Sequence, residues 1–179
     1  MPLSFDNFKG AIKTLYIPTL NQVPASEGLK ILALAHTSIE GFFPGSKAYR
    51  TNNPGNIGTS ALIGKVGSYP TLLEGVKAQM AMFTRILEGK SKYYKADSTL
   101  GQYIATYAPP VENNTNAYIN HVIDTFAKQG VKITKDTTLK QISVISLGGN
   151  AEKKKTSTNP IRKAGNDFYN YFGWFFSGK

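Results

Sequence analysis

Apolar residues recur at helical spacing in five segments of the chain, and polar or Gly/Pro-rich stretches separate these segments. In the first segment, residues 26–40, too many positions are apolar for a narrow stripe: Leu29, Ile31, Leu32, Ala33, Leu34, Ala35 and Ile39. A helix that is apolar on most of its sides is expected to be buried. We therefore predict a largely buried helix that ends at Gly41 and Pro44.

Each of the other four segments has a single apolar face and is bounded by residues that typically start or stop helices. These boundary signals are Thr71 with Glu74, Pro109 with Pro110, Asn114 or Thr115, Gly130, and Thr138 with Gln141. A Thr followed three residues later by Glu or Gln is a capping-box pattern, so we expect helices to begin at both such pairs. The pattern as a whole predicts a mainly helical chain.

Two stretches do not show this helical pattern. The first two dozen residues are weakly patterned and are interrupted by Pro18 and Pro24. Residues 44–70 are rich in Gly, Asn, Ser and Pro, so we do not expect a helix there. Within that stretch, residues 61–63 and 66–69 are short apolar runs on either side of Gly64-Lys65, which predicts a small β hairpin.

The composition changes after Gly149. A solvated linker follows, and the chain then becomes basic and finally aromatic in residues 160–179. We predict a mainly α (α+β) domain over residues 1–150, with an appended linker and aromatic tail over residues 151–179. The tail has two interpretations: an anchor that binds a membrane surface or another protein, or a last helix that packs back onto the domain.

Composition narrows the classes of function. The 179 residues include no cysteine, which excludes disulfides, thiolate metal sites and cysteine nucleophiles. Lys and Arg number 21 against 11 acidic residues, and the net charge of +10 predicts attraction to a polyanion such as nucleic acid, an anionic membrane or a charged cell wall. The first ten residues lack the basic stretch and apolar core of a secretory signal, so we expect no signal peptide.

Glu40 is the first candidate for chemistry. It lies at the C-terminal end of the predicted buried helix, where the helix dipole disfavours an anion, and Phe42 and Phe43 follow it as apolar cover. Surroundings that disfavour the ionised carboxylate suit a general acid that works near neutral pH. The alternative is a solvated glutamate at a helix end, and position alone favours that alternative.

The Asn-Pro-Gly-Asn run at residues 53–56 predicts a tight bend, since Pro presets one backbone dihedral and Gly permits positive φ. The side chains of Asn53 and Asn56 can hydrogen-bond sugar hydroxyls or acetamido groups. Taken as isolated residues, they more often hold their own loop. Ser46 and Arg50, in the same stretch of chain, are candidate residues of a binding-site wall.

Several motifs occur in a characteristic order: IEGFF, NNPGNIG, the aromatic and Gly-containing segment SYPTLLEGVKAQMAMF, and YAPPVENN with a downstream Tyr. In this order the chain resembles phage-type peptidoglycan hydrolases of the lysozyme-like and lytic transglycosylase superfamily, over about residues 25–125. The resemblance implies a lysozyme-like domain in which Glu40 is the catalytic acid. It also implies that Tyr107 and Glu112 lie near the cleft, with Tyr118 as the downstream tyrosine.

Competing interpretations of these residues stay open. Tyr107 and Tyr118 lie on apolar helical faces, which suits core packing as well as cleft lining. Glu112 can instead cap the next helix, and the capping box already explains Glu74. No acidic residue follows Glu40 until Glu74, so the lysozyme branches with an Asp soon after the catalytic Glu are not matched. This departure favours a lytic transglycosylase, or an inverting hydrolase that uses a distant carboxyl.

We predict no metal and no cofactor. His36 and His121 are the only histidines, and with Glu40 they do not provide an obvious ligand set. His36 and Glu40 are one turn apart and can share a helix face, although the family does not use a histidine there.

The expected function is cleavage of the MurNAc–GlcNAc β-1,4 bond of peptidoglycan glycan strands, by a phage virion component or a late lysin acting in the host cell envelope. The alternative is a non-catalytic lysozyme-like module that serves as a structural or wall-binding virion protein. A nucleic-acid-binding protein is a third interpretation, prompted by the charge and by Lys153, Lys154 and Lys155. It is not favoured, since no recognition motif supports it.

Overall fold

The structure, a computed structural model, describes residues 8–58, 67–110 and 114–147. Within these residues a π-helical turn, Ile12–Tyr16, runs directly into the first of seven α-helices. They are α1 Ile17–Asn21, α2 Glu27–Ile39, α3 Lys47–Arg50, α4 Leu72–Leu87, α5 Leu100–Tyr107, α6 Thr115–Lys128 and α7 Leu139–Ser143. The described part of the chain has no strand, and Thr99 and Thr138 form an isolated antiparallel bridge. The prediction of a mainly helical fold is confirmed.

Helix α2 is the centre of the fold and packs against α4, α6 and α7. Nine of its thirteen residues are buried, as the apolar pattern predicted. The Ser26 hydroxyl caps its first turn by accepting from the Leu29 N–H, and Gly41 ends it with a φ of +79°. The fold therefore buries α2 on most of its sides and leaves its C-terminal end, at Glu40, half-buried.

The predicted helix starts are also found. Thr138 forms a complete capping box with Gln141, and Asn114 caps α6. Thr99 forms a second complete box with Gln102, which was not predicted. At α4 the hydroxyl of Thr71 accepts from the backbone N–H at position 74, but the return bond from the glutamate is not formed. The capping-box prediction there is thus half right.

Two helical stretches were not expected from the sequence. Residues 12–21 are helical although they are weakly patterned, because Tyr16, Ile17 and Leu20 are buried against the core. Pro18 is accommodated in the first turn of α1, where a backbone N–H has no intrahelical partner. Helix α3 forms because Ser46 caps it and Ala48 is buried, before the first proline and glycine of the bend.

The predicted hairpin and tail fall largely outside the described residues, which exclude 1–7, 59–66, 111–113 and 148–179. Residues 67–69, part of the second predicted strand, are described and are not in a strand. There the Gly67 N–H donates to the Ile57 carbonyl, and the Tyr69 N–H donates to the Thr51 carbonyl. Among the described residues, no helix has the length and apolar character needed to cross a bilayer.

The bend after α3 lies directly against α4, and glycine at position 75 makes this approach possible. A Cβ at Gly75 would stand 1.7 Å from the Asn52 carbonyl oxygen and 3.2 Å from the Pro54 ring. The obstacle is largely backbone and cannot rotate away. Substitution Gly75→Ala must therefore push the bend off the helix.

We expect Gly75→Ala to lower the free energy of unfolding by about 3 kcal/mol, as over-packing against a fixed group does. The matched control is Gly101→Ala in α5, where the added carbon would lie 3.4 Å from its nearest neighbour, in ordinary contact. That control should be neutral or stabilising by up to about 1 kcal/mol, because alanine is the better helix former. Urea unfolding of the three proteins tests this expectation, and equal stabilities would contradict it.

Candidate functional site

Glu40 is held at the end of α2 by donors from two separate parts of the chain. The Asn56 side-chain amide donates to Oε2 at 2.9 Å, and the Tyr118 hydroxyl donates to Oε1 at 3.2 Å. Asn56 belongs to the bend after α3, and Tyr118 belongs to α6. The structure thus brings together three residues that the sequence analysis singled out, around one half-buried carboxyl.

The bend that carries Asn56 is built around the side chain of Asn53. Asn53 is fully buried, and its amide donates to the carbonyls of Ile57 and Gly67 while its oxygen accepts from the Ile57 N–H. All of its hydrogen-bonding groups are therefore used within the loop. These bonds agree with the alternative that Asn53 holds its own loop, and they shape the bend.

Asn56 adopts a φ of +47°, a left-handed conformation that asparagine tolerates better than most residues. This conformation turns its side chain toward the end of α2. Its Oδ1 is buried and has no partner among the described residues, while its Nδ2 donates a hydrogen bond to Glu40 Oε2. The structure is consistent with a role for Asn56 at the site, acting through the carboxyl of Glu40.

Tyr107, which the resemblance places near the cleft, lies beside the site and packs its ring against His36. Its hydroxyl donates to the Gly55 carbonyl, so it fastens the bend to α5. The hydroxyl that reaches the carboxyl is that of Tyr118, for which cleft lining and core packing were both left open. Of the two tyrosines, Tyr107 therefore positions the loop, and Tyr118 contacts the candidate acid.

Ser46 and Glu112, two further predicted residues, have different outcomes. The Ser46 hydroxyl accepts from the Phe43 and Tyr49 N–H groups, so this oxygen caps α3 and ties it to the preceding turn. Glu112 lies outside the described residues. Ile39 and Phe43, which flank Glu40 along the chain, are 37% and 58% exposed. Two exposed apolar side chains thus lie close to Glu40 along the chain.

His36 is the member of the site that the sequence analysis set aside. It is 1% exposed, and its Nδ1 lies 2.9 Å from the Tyr118 hydroxyl oxygen. Its ring is surrounded by the rings of Phe83, Tyr103, Tyr107 and Tyr118, at centroid distances of 4.5–6.0 Å. The available signal was the one-turn spacing from Glu40, which places both side chains on one face of α2.

Burial keeps this site free of positive charge and keeps its phenols protonated. It lowers the pKa of His36 to about 3, with a further contribution from His121, so the imidazole is neutral near pH 7. Burial also raises the pKa of Tyr107 and of Tyr118, and the Glu40 charge contributes to both shifts. Both hydroxyls are therefore donors. In the described part of the chain, no three His, Asp or Glu side chains cluster as a metal site requires.

The arrangement suits proton transfer. A carboxyl oxygen has two lone pairs, and each oxygen of Glu40 is shown with one donor. The group is thus fixed in orientation while it can still carry or accept a proton. A half-buried carboxyl with a fixed orientation is a suitable candidate for a general acid or base.

The Asn53 amide provides a test of how the bend is held. We expect Asn53→Asp to lower the free energy of unfolding by about 3 kcal/mol, because an acceptor replaces the donor that serves two carbonyl oxygens. Asn114→Asp is the control, since aspartate is an equally good helix cap and that residue is exposed. Chemical denaturation should separate the two variants, and a fully stable Asn53→Asp protein would contradict this account.

Stability should also depend on pH through the buried imidazole. The unfolded chain binds a proton at His36 near pH 6.5 and the folded chain only near pH 3, so acidification through this range favours unfolding. At pH 5 the loss from His36 is about 2 kcal/mol relative to pH 7. The pKa of His121 is lowered too, chiefly by burial, and its effect has the same sign.

Urea unfolding of the native protein and of His36→Asn at pH 7 and pH 5 measures this contribution. The substitution removes the titrating group and should shrink the difference between the two pH values by about 2 kcal/mol. An unchanged difference would show that His36 is not held neutral by burial.

Comparison of the chain with protein-family models, with curated proteins and with solved structures finds no match.

Proposed function

We propose that this protein is a peptidoglycan-degrading enzyme that cleaves the MurNAc–GlcNAc β-1,4 bond, with Glu40 as its general acid. The observation that carries the proposal is the carboxyl of Glu40, held between Asn56 and Tyr118. These partners come from the Asn-Pro-Gly-Asn run and from the segment after Tyr-Ala-Pro-Pro, two of the motifs on which the resemblance to lysozyme-like enzymes rests. Folding brings the separate motifs together around the residue expected to be catalytic.

The partners of Glu40 suit a mechanism with a single carboxyl. Both hydrogen-bond donors are neutral groups, an amide and a phenol, so they orient the side chain without a second charge. In such a mechanism Glu40 first gives its proton to the glycosidic oxygen as the C1–O4 bond breaks. The carboxylate then takes the proton of the muramyl 6-hydroxyl as O6 bonds to C1, which closes a 1,6-anhydro ring and restores the acid.

The substrate class agrees with the charge and the surface of the chain. A net charge of +10 favours binding to an anionic polymer such as the bacterial wall. Exposed Ile39 and Phe43 beside Glu40 offer apolar contact to sugar rings. We propose that the protein acts in the host cell envelope, as a phage virion component or a late lysin.

We expect Glu40→Gln to reduce solubilisation of purified peptidoglycan by about a thousandfold, the usual contribution of a positioned general acid. The fold should be retained, because glutamine keeps the size of the side chain and removes an anion from the C-terminal end of a helix. Asp136→Asn is the matched control: it removes the same charge from an exposed carboxylate and should leave the rate unchanged. Full activity in Glu40→Gln would contradict the proposed mechanism.

Mass spectrometry of the released muropeptides identifies the reaction. Anhydromuramyl ends are expected. Reducing ends would instead indicate that water, and not the muramyl 6-hydroxyl, attacks C1. Wild-type protein that binds glycan strands without releasing any fragment would instead support the non-catalytic wall-binding module.

A further inference from the structure

The Tyr118 hydroxyl has one hydrogen and two close neighbours. Its oxygen lies 2.9 Å from His36 Nδ1 and 3.2 Å from Glu40 Oε1. If Nδ1 carried no hydrogen, it would compete with the ionised carboxylate for the single phenolic proton, and one contact would bring two acceptors together. If Nδ1 carries the hydrogen, it donates to the Tyr118 oxygen, and the hydroxyl is free to donate to Glu40. Only this second arrangement satisfies both contacts of an ionised Glu40.

The surroundings of His36 agree with that tautomer. The neutral ring carries one hydrogen, and its Nε2 is buried with no partner among the described residues. A hydrogen on Nε2 would leave a buried donor without an acceptor and would also remove the donor from Nδ1. Packing against four aromatic rings keeps the imidazole in place behind Tyr118.

We propose that His36 is a positioning residue for the reaction: by donating from Nδ1 to Tyr118, it fixes the tyrosine hydroxyl as a permanent donor to Glu40 Oε1. This inference rests on the proposed function, because it assigns His36 a part in orienting the general acid. With Oε1 always accepting, the catalytic proton resides on Oε2, the oxygen that also accepts from Asn56. We call this pair of hydrogen bonds, from His36 to Tyr118 and from Tyr118 to Glu40, the relay. It distinguishes the two oxygens of the carboxyl.

The direction of the relay can be observed without any turnover. Nitrogen-15 NMR of the native protein reports which ring nitrogen of His36 carries the hydrogen at pH 7. We expect it on Nδ1, and we expect the Nδ1 signal to move in Tyr118→Phe, which removes the acceptor. A hydrogen on Nε2 overturns the proposal, whether or not the protein proves to be a glycosidase. Absence of turnover with the hydrogen on Nδ1 would instead refute the proposed function alone.

A double-mutant cycle tests whether His36 acts through Tyr118. We expect Tyr118→Phe and His36→Leu each to slow peptidoglycan cleavage about ten- to a hundredfold, since a misplaced catalytic group loses that much. The double variant should be no slower than Tyr118→Phe alone, because the proposed bonds from His36 to Glu40 run through the Tyr118 hydroxyl. If the rate losses of the two single variants multiply in the double variant, His36 has a general structural role, and the proposal is overturned.

Two further variants separate positioning from packing. His36→Asn keeps an amide donor near the place of Nδ1 and should retain the rate within about threefold, whereas the leucine variant does not. Thr125→Val alters a side chain in α6 that is equally buried and bonds only the His121 carbonyl, so its rate should be unchanged. If His36→Leu does not fold, the NMR measurements on the native protein and on Tyr118→Phe still decide the proposal.

Discussion

The candidate site depends on a close approach between two pieces of backbone. The carbonyl of Asn52 lies where any side chain at position 75 would have to be, so the bend can lie against α4 only because that residue is glycine. This contact places the bend beside the end of α2. Asn53 then shapes the bend from within, through bonds to Ile57 and Gly67. The reach of Asn56 to Glu40 is a consequence of both constraints.

A buried polar network beneath the bend secures the same region. Gln79 on α4 accepts from the Tyr16 hydroxyl at 2.8 Å and donates to the Ala33 carbonyl and to Thr37 on α2. It is 1% exposed, so these bonds form away from water, where an unpaired amide would be costly. A Cβ at Gly55 would meet this amide at 2.9 Å. The unpredicted N-terminal helix thus contributes Tyr16 to the layer that supports the catalytic candidate.

The helices that the sequence predicted well are those whose signals are local. Apolar periodicity and a capping residue at each start are properties of consecutive residues, and α2, α5, α6 and α7 follow them. The missed helices depend on contacts from elsewhere in the chain: Tyr16 and Ile17 become buried only when α4 and α2 are in place, and α3 has only four residues. Such elements are formed by tertiary packing, which overrides weak local preference.

The site shows the same division. Glu40 and Asn56 could be identified because motif order points to them, but the roles of the two tyrosines could not be assigned. Tyr107 and Tyr118 both lie on apolar faces, and only the mutual packing of α2, α5 and α6 decides which hydroxyl meets the carboxyl. Likewise, Asn53 and Asn56 are chemically identical residues three positions apart, and the bend turns one inward and the other toward Glu40.

The chemical character of the site follows from the neutrality of its buried groups. Burial opposes charge on His36 and on Tyr118, so Tyr118 brings a hydrogen bond to Glu40, and His36 one to Tyr118, without adding a charge. A charged partner would hold the carboxyl as a permanent ion pair and would oppose its protonation. Neutral donors orient it and still leave it free to exchange a proton, which a residue that serves in turn as acid and base requires. Helix α2 places a neutral imidazole one turn before the carboxyl and on the same face. The carboxyl is therefore oriented without a charged partner.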